Sequence, residues 1–274
     1  MTDLPSVRAS ERQTSLGDVV IIGGGCYGSF YTGQLLEGRA RERVTFTRLL
    51  VVDRDPGCRV AVERAGTPGV EVVTAEWGAF LDGYLAGIDA TERDVIVPSP
   101  LMPHLLHRWL LRRARGRWPG RPVATRALEA EVGTPYDTRA PDGTRYLSFA
   151  DWLCPTHCVE PATCPVIRGP RTWEMAEALA RHAARIGAAG PALCVTRHLA
   201  FGVGVFGVDE VLAADRLVES AGADGTPAEV LVATVSACHG AANLLALGPA
   251  GEPPGVLYSG TSHPSPSNLD PRPA

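Results

Sequence analysis

The chain contains no lysine; all 26 of its basic residues are arginine. That absence excludes Schiff-base chemistry, pyridoxal phosphate attachment and the lysine of a phosphate-binding P-loop. Positive charge is not in excess either. With 26 basic against 30 acidic residues the formal net charge is -4, whereas a phosphate-backbone binder carries a basic surplus, so no nucleic-acid partner is expected. The local run of Arg112, Arg113, Arg115 and Arg117 reads as a solvated helix end. Apolar stretches are broken by Gly, Pro or charge well short of the roughly eighteen residues a membrane span needs, so no membrane insertion is expected. The polar N-terminus lacks the apolar core of a secretory signal, which makes a cytoplasmic, reducing location the default expectation. A serine-hydrolase elbow and an HExxH helix are also missing.

What is present is an alternation of short apolar runs and helical patterns. Asp18–Ile22 is β-branched and reads as a buried parallel strand, followed by a helix from Cys26 that Gly38 is expected to stop. Arg48–Asp53, Val70–Thr74 and Asp94–Val97 read as further strands, with helices expected over 76–85 and 101–115. Such alternation predicts an α/β fold with a doubly wound parallel sheet. A leader (1–16) is expected to be disordered, and residues 17–116 to form a dinucleotide-binding domain. Residues 117–170 are expected to be a Cys-rich, irregular insertion and 171–248 a C-terminal α/β portion, ahead of a flexible tail (249–274). In the C-terminal portion a helix over 172–186 stopped by Gly187, a strand over 192–199, a helix over 208–219 and a strand over 229–237 are expected.

The first strand ends in a glycine fingerprint, Gly23-x-Gly25-x-x-Gly28, immediately before a helix. In this context Gly23 permits a tight turn, Gly25 lets the backbone approach a pyrophosphate, and Gly28 allows close helix–strand packing. Asp53 ends the second strand 25 residues after Gly28, where an acid can meet ribose hydroxyls. Arg54 beside it leaves NADP open alongside NAD. FAD ranks behind both, because the remaining chain is short for a flavin domain plus a substrate domain. Over about residues 17–116 the sequence resembles the broad Rossmann family of NAD(P)-binding proteins, including the regulatory nucleotide-binding domains of potassium-uptake systems. The resemblance implies a nucleotide site at Gly23, Gly25, Gly28 and Asp53 and transfers no catalytic residue. The Cys-containing segment departs from those regulatory domains.

Cys154, Cys158 and Cys164 follow a C-x3-C-x5-C spacing, with proline after the first and the third. In a reducing compartment, clustered cysteines point to metal ligation or redox chemistry before structural disulfides. Zinc or an iron–sulfur cluster would need a fourth ligand, for which His157, Cys238 and His239 contend. Glu160 is a candidate ligand or supporting acid, His198 and His239 are candidate acid–base groups, and Arg168 and Arg171 are candidate anion contacts. Cys26 lies in the glycine turn and reads as a small residue filling it. Trp152 and Trp173 are expected to pack the segment. The leading expectation is an NAD(P)-binding oxidoreductase-like protein with a Cys-ligated metal or iron–sulfur centre, acting on an unidentified small molecule, with homo-oligomerisation left open. The alternatives are a non-catalytic nucleotide or redox sensor and a metal-handling or cofactor-assembly protein.

Overall fold

The computed structural model describes residues 13–87, 93–99, 104–155 and 158–251. Among them the fold is mixed α/β, with six α-helices and sheets that are partly parallel. The first half runs through β1 (Thr14–Ser15), β2 (Val19–Ile22), α1 (Cys26–Ala40), β3 (Val44–Thr45) and β4 (Leu49–Asp53). It continues through α2 (Arg59–Glu63), β5 (Val70–Thr74), α3 (Trp77–Ala86), β6 (Val95–Val97) and α4 (Leu105–Arg117). The second half contains β7 (Val123–Arg126), β8 (Tyr136–Arg139), β9 (Arg145–Ser148), β10 (Thr163–Cys164), β11 (Gly169–Pro170) and α5 (Met175–Ile186). It closes with β12 (Ala189–Val195), β13 (Arg197–His198), β14 (Gly204–Gly207), α6 (Val208–Gly222), β15 (Ala228–Val235) and β16 (His239–Leu247).

Two six-stranded sheets organise these elements. In the first, the order is β13-β14-β6-β2-β4-β5; the four strands from β6 to β5 are parallel, and β14 and β13 add antiparallel to the β6 edge. The second follows β12-β15-β16-β9-β8, with β7 pairing the far end of β16. Side chains alternate across a strand, so each sheet has two faces to cover. Val19, Ile21, Leu49 and Val51 pack with Leu35 of α1 and Val60 of α2. Their neighbours Val20, Ile22, Leu50 and Val52 face the other way, into a core with Trp109 and Leu110 of α4 and Val211 of α6. That same core takes Val230, Val232, Leu245 and Leu247 from one face of the second sheet. Leu231, Ala233 and Leu244, on its opposite face, pack with Met175 and Leu179 of α5. The layers therefore run helix, sheet, helix, sheet, helix; α4 and α6 serve both sheets, and α3 packs beside α4 on the first.

Several expectations change. Residues 117–170 are not irregular throughout, because β7, β8 and β9 join the second sheet. Some of their pairing partners lie far along the chain, as Leu247 does from Val123, so local periodicity carries little trace of them. The strand expected over 192–199 divides at Thr196: β12 belongs to the second sheet and β13 to the first. The C-terminal portion thus both extends the first sheet and builds the second. Gly38 does not stop α1; it lies inside the helix, where a Cβ would come within 2.9 Å of Val44 Cγ1. Gly187 does end α5, with φ 70°. The arginine run is not simply solvated. Arg113 and Arg117 both pair with the buried Asp215 of α6, at 3.1 and 3.0 Å, and Arg112 pairs with Asp82 of α3 at 3.0 Å. Within the expected leader, Thr14 and Ser15 pair with β3. The rest of that leader and most of the expected tail lie outside the described residues. No helix among the described residues is long and apolar enough to cross a membrane.

At Gly28 a Cβ would sit 1.9 Å from the Gly23 carbonyl oxygen, whereas at Gly25 it would meet nothing within 4 Å. Gly28→Ala is therefore expected to destabilise the protein by about 3 kcal/mol or more, and Gly25→Ala by less than about 1 kcal/mol. Chemical denaturation of the two variants side by side checks the contrast.

Candidate functional site

The glycine turn between β2 and α1 is tied down by backbone bonds. Gly23, at φ +92°, donates its N–H to Val52 O at 2.8 Å, and the Gly24 carbonyl accepts from Val60 N at 3.0 Å. Gly25 is the N-cap of α1 and provides no side-chain cap, so the helix begins with its dipole and first-turn amides facing open space. Asp53 closes the turn: Oδ2 accepts from Gly24 N at 2.7 Å and Oδ1 from Asp55 N at 2.9 Å. A carboxylate has about four acceptor positions, so these two bonds leave it able to accept more. Arg54 is exposed. Cys26 is exposed on the first turn of α1 with Arg59 Nη1 3.7 Å from its sulfur. Cys58 is buried, and its sulfur lies 2.4 Å from where a Cβ on Gly24 would be, which explains a glycine there.

Between the two sheets opens a cavity of about 540 Å³. Pro98 and Ser99, just past β6, form part of its wall, as does Tyr31 of α1. Cys154, Cys158, Cys164, Cys238, His198 and His239 all line it, together with Glu160 and Arg171. Residues well apart in the chain thus meet at one place. All seven cysteines are free thiols. Cys154 Sγ lies 3.9 Å from His239 Nε2, and the Cys158 sulfur accepts from Glu160 N at 3.4 Å. Trp173 Nε1 donates to Cys238 Sγ at 3.2 Å, and Trp173 packs with Phe149 and Trp152. Cys164 lies in the small β10–β11 ladder. His157 falls outside the described residues. Among the described residues, no three His, Cys, Asp or Glu side chains are arranged to hold a metal ion.

Glu160 holds this assembly to the β15–β16 turn. Its carboxylate accepts from Ser236 Oγ at 2.7 Å, Ala237 N at 2.8 Å and Cys238 N at 3.3 Å, with His198 Nδ1 3.8 Å away. The side chain is only 8% exposed, and the residue adopts a left-handed φ of 49°, a conformation that persists where surrounding contacts enforce it. Arg171 donates from Nη1 to Trp173 O at 3.0 Å and pairs through the same nitrogen with Glu174 at the start of α5, while its buried Nε has no partner; Arg168 is exposed.

Burial raises the Cys154 thiol pKa, and the negative potentials of Cys158, Cys164 and Glu160 raise it further. Burial likewise pushes Cys238 up to about 11. His239, exposed as a residue, has its ring packed enough that desolvation lowers its pKa; Glu160 works against that and His198 with it. At neutral pH Cys154 and Cys238 are therefore thiols rather than thiolates, beside a neutral His239 imidazole. Cys194, expected to be isolated, is a core thiol of β12.

Fold and site together define a mixed α/β protein with a thiol- and histidine-lined cavity between two sheets. Residues 106–248 match the family described as AF_1314_C, uncharacterized protein, C-terminal domain, and the chain belongs to that family over this span, just over half its length. Neither curated proteins nor solved structures give a significant match. The matched span begins within α4 and contains all the cysteines of the cavity, while the glycine turn precedes it.

Replacing Glu160 by Ala leaves three donors at the turn without their acceptor. This is expected to cost about 2–3 kcal/mol and to speed hydrogen exchange over 158–164 and 236–239 relative to the α5 core, as peptide-level mass spectrometry would show. Because the Cys154 pKa is raised, its thiolate forms only at higher pH. Its alkylation by iodoacetamide is expected to rise with a midpoint above the roughly 8.5 of a free cysteine, read by mass spectrometry across pH 7–10.

Proposed function

We propose that this chain is an NAD(P)-binding, oxidoreductase-like protein whose thiol-lined cavity adjoins the nucleotide crevice. The observation that carries this reading is the glycine turn. An uncapped helix N-terminus opens at Gly25, Gly28 packs on the Gly23 carbonyl, and an acid stands at the end of the neighbouring parallel strand. The order β6-β2-β4-β5, in which the chain runs outward from β2 through β4 to β5 and returns to β6 on the other side of β2, supports a Rossmann-like half-sheet, in which ligands bind beyond the carboxyl ends of the strands at the point of reversal. That Pro98 and Ser99, just past the end of β6, line the cavity supports this reading. In this reading the amides around Gly25 bind the pyrophosphate, and Asp53 accepts from ribose hydroxyls while holding Gly24.

For a metal or iron–sulfur centre the donor chemistry is suitable: soft sulfur and imidazole groups line one cavity, and the raised thiol pKa values reflect desolvation that a cation would offset. Cys154, Cys158 and Cys164 would hold it, with His239 or Cys238 as the fourth donor. The described side chains do not converge as they stand, so binding would require them to rotate within the 154–164 segment. A bound centre would supply electron relay or substrate polarisation. With Cys238 as the fourth donor, the His239 ring, whose Nε2 lies 3.9 Å from Cys154 Sγ, would be free to accept the Cys154 proton. A second reading, a nucleotide or redox sensor, draws support from apolar side chains exposed around the same segment: Leu153 at 96%, with Val159, Val166 and Ile167 also exposed.

Fluorescence titration with NADH and NADPH tests the nucleotide half. Gly25→Val is expected to weaken binding at least tenfold with the fold intact by circular dichroism, and unchanged affinity would sink the proposal. Titrating the apoprotein with Zn²⁺ in weak buffer should release protons as thiols ionise; no release at stoichiometric metal counts against the centre. Nucleotide binding without turnover of candidate substrates would favour the sensor.

A further inference from the structure

Beside the N-terminus of α4 lies a second cavity, of about 350 Å³, lined by His104, His107, Arg108, Thr125, Tyr146 and Asn243. Tyr146 also lines the thiol cavity, so one side chain stands in the wall of both. His104, His107 and Asn243 are 8, 3 and 1% exposed, and yet most of their polar atoms have no hydrogen-bond partner. Both ring nitrogens of His104, Nδ1 of His107 and both amide atoms of Asn243 are unpaired. Only His107 Nε2 is engaged, 2.8 Å from Thr125 Oγ1. Asn243 faces the His104 ring and favours its charged form, but the contact falls outside hydrogen-bond geometry. Buried polar atoms are almost always paired, so five such atoms in one cavity call for something that answers them.

The sign of that missing partner follows from the charges around the cavity. Arg108 forms part of the wall, and the thirteen-residue helix α4 begins at His104 without a side-chain cap, turning its positive end to the same place. Burial first, then His107 and Arg108, holds His104 well below the ordinary histidine range; burial and Arg108 lower His107 to about 4. A metal cation would therefore meet a guanidinium and a helix dipole of its own sign. The one acid at the cavity, Asp142, is exposed, and its carboxylate accepts from Thr144 N at 3.0 Å. The two imidazole rings stack at 4.8 Å and 11° and offer nitrogens along one side of the space.

We infer that this cavity binds a small oxyanion, the phosphate or carboxylate group of a ligand, through the His104 and His107 rings, the Asn243 amide, Arg108 and the first amides of α4. The site is separate from the proposed dinucleotide site and does not depend on it. The test is titration of the intact protein with sodium phosphate, and separately with sodium acetate, against sodium chloride at equal ionic strength. Histidine ring signals are followed by NMR. A saturable shift of the His104 and His107 signals is expected with one of the two anions, and the anion that produces it tells a phosphoryl from a carboxylate ligand. Asn243→Leu is expected to weaken that binding at least tenfold, with His107→Phe as the second variant should the first fail to fold. Ring signals that respond to neither anion beyond the chloride control overturn the inference. So does a folded variant that binds as tightly as the parent, since the anion is then held elsewhere.

Discussion

The fold rests on the burial of α4 and α6 between two sheets. A helix in such a layer must be apolar on two opposed sides rather than on one stripe. In α4 this requirement appears as Leu105, Leu106, Trp109, Leu110 and Ala114, all buried in the shared core. Of its polar positions, Arg112 reaches sideways to Asp82 of α3, and Arg113 and Arg117 to Asp215 of α6. Each sheet uses this layer to cover one face, and the chain switches between sheets at Thr196. The family boundary at residue 106 therefore runs through a core that both halves share. Without the first sheet, the apolar sides of α4 and α6 that pack on Val20 and Ile22 would face water.

The same constraint creates the cavity. Two sheets held apart by a helical layer leave a gap where that layer ends, at the carboxyl end of β6 and the turn between β15 and β16. The cysteine segment fills the mouth of that gap. It has few regular hydrogen bonds of its own, so Glu160 supplies what a ladder would otherwise provide. Its carboxylate serves donors on the β15–β16 turn that would lack partners if the segment left, which links the position of Cys158 to that of Cys238.

Much of the first sheet was legible because its strands are dense in β-branched residues and end at glycine or aspartate, as in Val19–Ile22 and Leu49–Asp53. The separation of roles among Gly23, Gly25 and Gly28 could be read from spacing, and each has the expected steric environment. The longest strand, β16, was not legible: it contains Gly, Ala and Asn and is almost wholly buried, so it shows no alternation. Strands β7 to β9 are short and polar, and only distant partners define them. The cysteines could be grouped by spacing, but their meeting with Cys238, His198 and His239 depends on sheet pairing. His104 and His107 stand three apart at a helix start, a signal available in the sequence; that they are buried and unpaired appears only in three dimensions.

The absence of lysine has one more consequence. Apart from protonated histidine, every side-chain cation in this protein is a guanidinium, which stays charged at any pH the fold meets and offers no primary amine to acyl groups. The contacts of Arg113 and Arg117 with Asp215, and of Arg121 with the backbone carbonyls of Gly222 and Gly248, are thus out of reach of lysine-directed acetylation or ubiquitin attachment. The positive half of the protein's electrostatics is fixed by its composition. Side-chain charge can change only at thiols, imidazoles, phenols and carboxylates; Cys154, Cys238, His239, His104 and His107 stand in the walls of the two cavities described above, while Cys58, Cys194, His182 and Asp215 are buried elsewhere.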